Sequence, residues 1–156
     1  MIIVLTSIKR IKRKTKIIRQ FYLMIENIEI YLGYKNSSIK EVFNELNNTD
    51  LYDELAFIKI IKSNIDDNDC DCVVNKNILS CIDSISLLEN KDKDNIKSFM
   101  SMLGKTDLNG QIMNCKIYKE YFKTKLKYLE ENENNKCKSI STIIIGLGLF
   151  ITIIIV

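Results

Sequence analysis

Between residues 18 and 32 the apolar side chains Ile18, Phe21, Ile25, Ile28 and Leu32 advance by three, four, three and four, which lays one seam along an α-helix. The seam predicts a first long helix that Gly33 can end. Ser38 followed by Glu41 forms a capping box, the serine oxygen accepting from the first turn and the glutamate reaching back to the Ser38 N–H. Ile39, Val42, Phe43 and Leu46 then give the buried stripe of a short second helix. Asp50 is placed to cap a third, whose seam is Leu51, Leu55, Ile58 and Ile65, widened by Ile61. A fourth carries Val74, Ile78, Cys81, Ile85 and Leu88, and the run "ENKDKDN" reads as a turn before a fifth over residues 96–103. In the sixth, over residues 107–131, Leu108, Ile112, Cys115, Phe122, Leu126 and Leu129 step by fours and threes except where Lys119 interrupts. These seams have only one another to pack on, so the expected fold is all-α, a compact bundle of about six antiparallel helices.

The two ends depart from this pattern. Residues 139–156, "SISTIIIGLGLFITIIIV", carry no charge and as a helix would extend roughly 27 Å at about 1.5 Å per residue, close to a hydrocarbon core of about 30 Å. They are expected to form a C-terminal transmembrane helix, on which Thr142 and Gly146 make a small-xxx-small face. At the other end "MIIVLTSI" is apolar but too short to cross a bilayer, and Lys9, Arg10, Lys12, Arg13, Lys14, Lys16 and Arg19 follow it. A secretory signal has the reverse order of charge and apolar run. Residues 1–8 therefore read as the remnant of an N-terminal membrane segment with its cytoplasmic basic flank, and Lys136 and Lys138 flank the other span on the same side. Residues 9–136 form the cytosolic helical domain in this division. A nucleic-acid arm is the competing reading, but no aromatic is interleaved among the basic residues to stack on bases.

Composition narrows the chemistry. The 156 residues include no proline and five glycines, which favours long helices, and no histidine, which removes the commonest general base and a common zinc ligand. Five cysteines without a C-x-x-C pair read as reduced thiols; Cys137, at the expected membrane boundary, is a positional candidate for palmitoylation. The net charge of +3 rests on a chain rich in Ile, Asn and Lys and is weak support for a polyanion partner.

Three stretches imitate sites. Gly104, Lys105 and Thr106 spell the end of a phosphate-binding loop, but Phe99 stands where its second glycine is required and helical spacing, not a strand, leads in. "DDNDCDC", residues 66–72, alternates Asp67, Asp69 and Asp71 like a calcium loop, yet Cys72 and Ile78 occupy the turn-glycine and bidentate-glutamate positions. Cys70, Cys72 and Cys81 lack a fourth zinc ligand. Glu26 and Glu29 share a helical face without any other chemical group assembled beside them, so no catalytic residue, metal or cofactor is expected.

"LGKTDLNGQ", residues 103–111, resembles the "LG-x-S/T-D…Q" signature of the stage III sporulation protein AB family, and "IENIEIY", residues 25–31, resembles that family's "LE-x-EI-x-Y" stretch. The resemblance extends over essentially the whole chain. Read from the residues alone, Gly104 relaxes one helix end, Thr106 or Asp107 caps the next, and Gln111 lies about one turn in. The resemblance implies a membrane component of the channel-like assembly linking mother cell and forespore during engulfment. Its helical domain would face the mother-cell cytoplasm, be similar to the cytoplasmic domain of the type II secretion platform protein, and couple a cytosolic secretion-type ATPase, stage III sporulation protein AA, to membrane partners. The chain departs from the family in having eight residues before the basic flank instead of a full first span, and Asn36 to Ser38 in place of a proline and leucine.

The leading expectation is thus a non-catalytic membrane scaffold that docks the ATPase. Glu26, Glu29 and Tyr31 on the first helix, with Gly104, Asp107 and Gln111 in the turn, shape or present the docking face, and for the last three helix capping is an equal reading. The alternative is a tail-anchored protein that binds nucleic acid or anionic lipid through its basic N-terminal arm.

Overall fold

The computed structural model describes residues 2–35, 37–66 and 75–155, with side-chain surroundings for these except 2–5, 64–66, 140, 141 and 143–155. The described chain is α1 (Ile2–Lys35), α2 (Ile39–Asn47), a 3-10 turn (Asp50–Tyr52), α3 (Ala56–Asp66), α4 (Lys76–Asp83), α5 (Asn90–Met102) and α6 (Leu108–Ile155). It is all-helical, and no strand occurs among the described residues.

Two helices dominate. α1 has 34 residues and α6 has 48, about 51 and 72 Å at about 1.5 Å per residue. They run antiparallel: Arg19 reaches Glu130 at 2.9 Å, Phe21 packs on Phe122, Glu29 pairs with Lys119, and the Ile112 Cδ1 lies 3.8 Å from where a Cβ on Gly33 would be. Along this hairpin, α2 packs on α1 and α5 on α6, while α3 and α4 complete the succession between them. The seam residues Ile18, Phe21, Ile25, Ile28 and Leu32 are buried, as are Val42, Phe43 and Leu46 of α2 and Leu55, Ile58 and Ile61 next to or on α3. Phe21 is the centre of the core. Its ring meets Phe57 of α3 at 6.3 Å, Phe99 of α5 at 5.8 Å and Phe122 of α6 at 4.7 Å, all edge-to-face.

Local chemistry explains the starts of α2 and α4. Ser38 caps α2 through the expected box: Glu41 N–H donates to Ser38 Oγ at 3.3 Å, and Ser38 N–H to Glu41 Oε2 at 2.7 Å. Asn75 caps α4 by accepting from the Asn77 and Ile78 N–H groups, both at 3.1 Å.

Several sequence expectations need correction. Gly33 does not end α1, which continues to Lys35; the helix packs there against α6, and this outweighs a glycine's modest helix penalty. Asp50 opens the 3-10 turn instead of capping α3, so Leu51 is exposed and Tyr52 is buried in its place. "ENKDKDN" is not a turn. Its first residue, Glu89, is the N-cap position and the rest forms the first turns of α5, with Asp92 fully buried. On α4, Ile82 is buried with Ile78, while Cys81, and Ile85 just past the helix, only flank the core. Val74, the acidic run from Asp67 and Cys70 with Cys72 lie outside the described residues, as does the side chain of Ile65.

At the two ends α1 passes without interruption through residues 8 and 9, and α6 through 136–139. Among the described residues no helix is long and apolar enough to cross a membrane. The expected span falls on 139–156, whose side chains, Ser139 and Thr142 apart, lie outside those described.

Candidate functional site

The turn between α5 and α6 is built by its own polar groups. Gly104 has a φ of +76°, a conformation that glycine adopts without steric cost. Asp107 caps α6, accepting at Oδ1 from the Gly110 N–H at 3.0 Å. Gln111 folds back over the turn: its amide donates to the Thr106 carbonyl at 3.0 Å, and its Oε1 accepts from the Gly104 N–H at 3.4 Å. Gly104, Asp107 and Gln111 are therefore brought together, and each has a capping or turn-closing role. Lys105 is exposed, and the element leading into Gly104 is the helix α5, where a phosphate loop takes a strand. No atom lies within 4 Å of a Cβ added to Gly104, so Gly104→Ala carries only the backbone cost. It is expected to destabilise the protein by about 1 kcal/mol, read as a lowered Tm, with Gly104→Asn recovering part of the loss.

The second group sits on α1. Glu29 forms an ion pair with Lys119, the residue that interrupts the α6 seam; the lysine stands in the apolar register because its ammonium is matched across the hairpin. The hydrogen bond to Glu29, the largest cause, raises the Lys119 pKa. Glu26 accepts from the Tyr22 hydroxyl at 3.3 Å and keeps most of its hydrogen-bonding capacity. Tyr31 packs against the core edge, and the Lys35 ammonium lies 4.5 Å over its ring. The α1–α6 register places the end of α1 that carries Tyr31 beside the start of α6, so both signature groups occupy one end of the bundle. Around that end lie the exposed side chains of Ile30, Tyr34, Leu108 and Met113.

A third polar cluster escaped sequence reasoning. Asp92, fully buried, accepts from the Tyr121 hydroxyl at 3.0 Å, and its other oxygen is 3.2 Å from the Lys125 ammonium, an ion-pair contact without hydrogen-bond alignment. Lys125 also donates to Glu89 at 2.8 Å, and Lys14 donates to the second Glu89 oxygen at 2.5 Å. The cluster ties the start of α5 to both long helices. The signal was in the register: Asp92, Ile96 and Phe99 advance by four and three, so the aspartate occupies the buried stripe. Hydrogen bonds from Lys125 and then Lys14 lower the Glu89 pKa to about 2. Burial disfavours the charged form of Lys125, but its hydrogen bond to Glu89 and its ion-pair contact with Asp92 outweigh this and leave its pKa raised. With its acids matched by ammonium groups, the cluster fits a structural clamp better than an acid–base pair. Because the folded pKa of Glu89 is depressed, its contribution to stability is present above the unfolded value near 4.5 and is lost as pH falls toward about 2. Acid titration of the Tm should show that loss in wild type and a flatter profile below pH ~5 in Glu89→Gln.

The basic arm is less free than the sequence suggests. Arg13 pairs with Glu54 at 2.9 Å, Lys16 with Asp53 at 2.5 Å, Lys14 with Glu89 and Arg19 with Glu130, while Gln20 accepts from the Glu54 N–H at 3.0 Å. These residues hold loops and α6 against α1 instead of forming a fully solvated cluster. The pairs also leave less cationic surface for a nucleic acid. Among the thiols, burial pushes Cys115 up to about 12, with the Glu29 carboxylate adding to the shift, so this cysteine is no nucleophile at neutral pH.

A long antiparallel hairpin closed by short helices, with polar groups engaged in caps and clamps, defines the class: an all-α helical protein. The chain matches the family model of stage III sporulation protein AB over residues 2–156, nearly its whole length, and belongs to that family. Membership ties it to stage III of sporulation. Comparison with curated proteins and with solved structures gave no match.

Proposed function

We propose that the protein is a non-catalytic membrane scaffold of the assembly joining mother cell and forespore, and that its helical bundle docks a cytosolic secretion-type ATPase, stage III sporulation protein AA. The observation that carries this reading is the antiparallel register of α1 and α6 in a chain of this family. By that register residues 2–8 of the apolar run and residues 139–155 of the uncharged run leave the bundle at one end, and the two signature groups stand at the other. From residue 9 to Lys35 the helix rises about 40 Å at about 1.5 Å per residue, so a docking face at the signature end projects well clear of a bilayer.

The run 139–156 anchors the protein as a transmembrane helix in this reading, with the bundle in the mother-cell cytoplasm. Its length and lack of charge support the assignment. Lys136 and Lys138 sit at its edge, with Lys9 and Arg10 at the same level by register.

Glu26 is the better probe of docking because Glu29 is already engaged by Lys119. Glu26→Lys is expected to reduce co-purification of the ATPase with the full chain at least about tenfold, as the loss of one well-placed charged contact would, while helicity and Tm stay near wild type. Unchanged recovery of the ATPase would remove Glu26 from the docking face.

A further inference from the structure

A cleft of about 470 Å³ opens between the amino-terminal part of α1 and the loop joining α4 to α5. Lys9, Arg10 and Arg13 line it from α1, Ser84, Ser86 and Leu87 from the loop, and Glu54, the ion-pair partner of Arg13, from the segment before α3. A second hollow of about 310 Å³ continues it around Arg10 toward Leu88 and Glu89. Lys9 and Arg10 are exposed and have no acidic partner among the described residues, unlike Arg13, Lys14 and Lys16. Arg13 gives its Nε–H to Glu54, and its terminal guanidinium N–H groups remain for another acceptor. The Ser86 hydroxyl is exposed and makes no hydrogen bond among the described residues, whereas Ser84 donates to the Cys81 carbonyl at 2.6 Å. Ile85 and Leu87, both partly exposed, give the cleft an apolar wall.

We infer that this cleft binds the phosphodiester headgroup of an anionic phospholipid. Guanidinium groups suit phosphate oxygens because their planar N–H donors match the oxygens in pairs, and a lysine adds an unsatisfied point charge. An inorganic phosphate would use the same donors, but it would leave the apolar wall uncovered; the glycerol and first acyl carbons of a lipid cover it. The position agrees. The cleft adjoins Thr6, where α1 passes into its apolar run, so a headgroup held here has its chains directed alongside that run. The lipid source rests on the membrane anchoring proposed above, whereas the phosphate chemistry of the cleft does not.

The test uses the full chain in dodecyl maltoside micelles, titrated separately with dihexanoyl-phosphatidylglycerol, dihexanoyl-phosphatidylcholine and inorganic phosphate while hydrogen exchange is followed over residues 8–13 and 84–87. The glycerol lipid is expected to protect both segments, at concentrations where the choline lipid and inorganic phosphate do not. Lys9→Gln with Arg10→Gln should weaken that protection at least about tenfold, as expected for losing two charge-assisted contacts. Lys12→Gln removes one positive charge from a side chain that does not line the cleft and should leave protection unchanged. Equal protection by the choline lipid would overturn charge recognition, equal protection by inorganic phosphate would overturn the lipid assignment, and equal loss in Lys12→Gln would reduce the effect to diffuse attraction. Anchoring is read separately, by whether the full chain stays with vesicles in alkaline carbonate, so either idea can fail alone.

Discussion

Phe21→Ala is expected to cost the bundle about 4 kcal/mol, the upper part of the range for truncating a fully buried aromatic ring. The residue is 0% exposed, and its ring touches one aromatic side chain from each of α3, α5 and α6. Three edge-to-face contacts are lost together with the buried area, and the cavity is walled by other phenylalanines whose helices are fixed in place by clamps elsewhere, so it collapses poorly. A domain of this size has about 5–15 kcal/mol in total, so a large drop in the urea midpoint with little change in slope is the expected result. Phe21→Leu, which leaves a smaller void, should lose roughly half as much. A loss under about 1 kcal/mol would mean that the four helices do not meet at this ring.

Lys125→Met is expected to lose about 3 kcal/mol for a different reason. The methionine keeps most of the stem's packing but leaves the buried Asp92 carboxylate with the Tyr121 hydroxyl alone, and leaves Glu89 with Lys14. An unmatched buried charge is the expensive outcome, so the double variant Lys125→Met with Asp92→Leu should recover much of the loss. In wild type the Lys125 pKa is raised, so its stabilisation is complete below about 10.5 and fades as pH climbs through the folded value. Tm measured against pH for the three proteins separates these effects.

The sequence carried the long seams well, for a physical reason. Ile18 to Leu32 and Cys115 to Leu129 repeat over several turns, so accidental spacing is improbable, and the Ser38–Glu41 cap is local enough to be read directly. Short elements were harder. Leu51 and Tyr52 are both apolar enough to serve, and only the 3-10 geometry decides that the tyrosine turns inward, where its hydroxyl accepts from Asn27 at 2.5 Å. "ENKDKDN" looks like a turn until partners for Glu89 and Asp92 are known, and those partners are remote: Lys14 is 75 residues from Glu89. Lys119 read as a break in the seam because its partner, Glu29, is 90 residues away. For the candidate site, the capping chemistry of Asp107 was legible because it is local. That the Tyr31 end of α1 and the Gly104 turn share one end of the bundle was not, since it depends on the register of two helices far apart in sequence.

The most direct test of the central claim is hydrogen exchange on the full chain in lipid vesicles, with and without stage III sporulation protein AA. The account predicts new protection over residues 25–31 and 103–111, with residues 9–20 unchanged. Protection confined to residues 9–20, or none at the signature end while the two proteins remain bound, would contradict it.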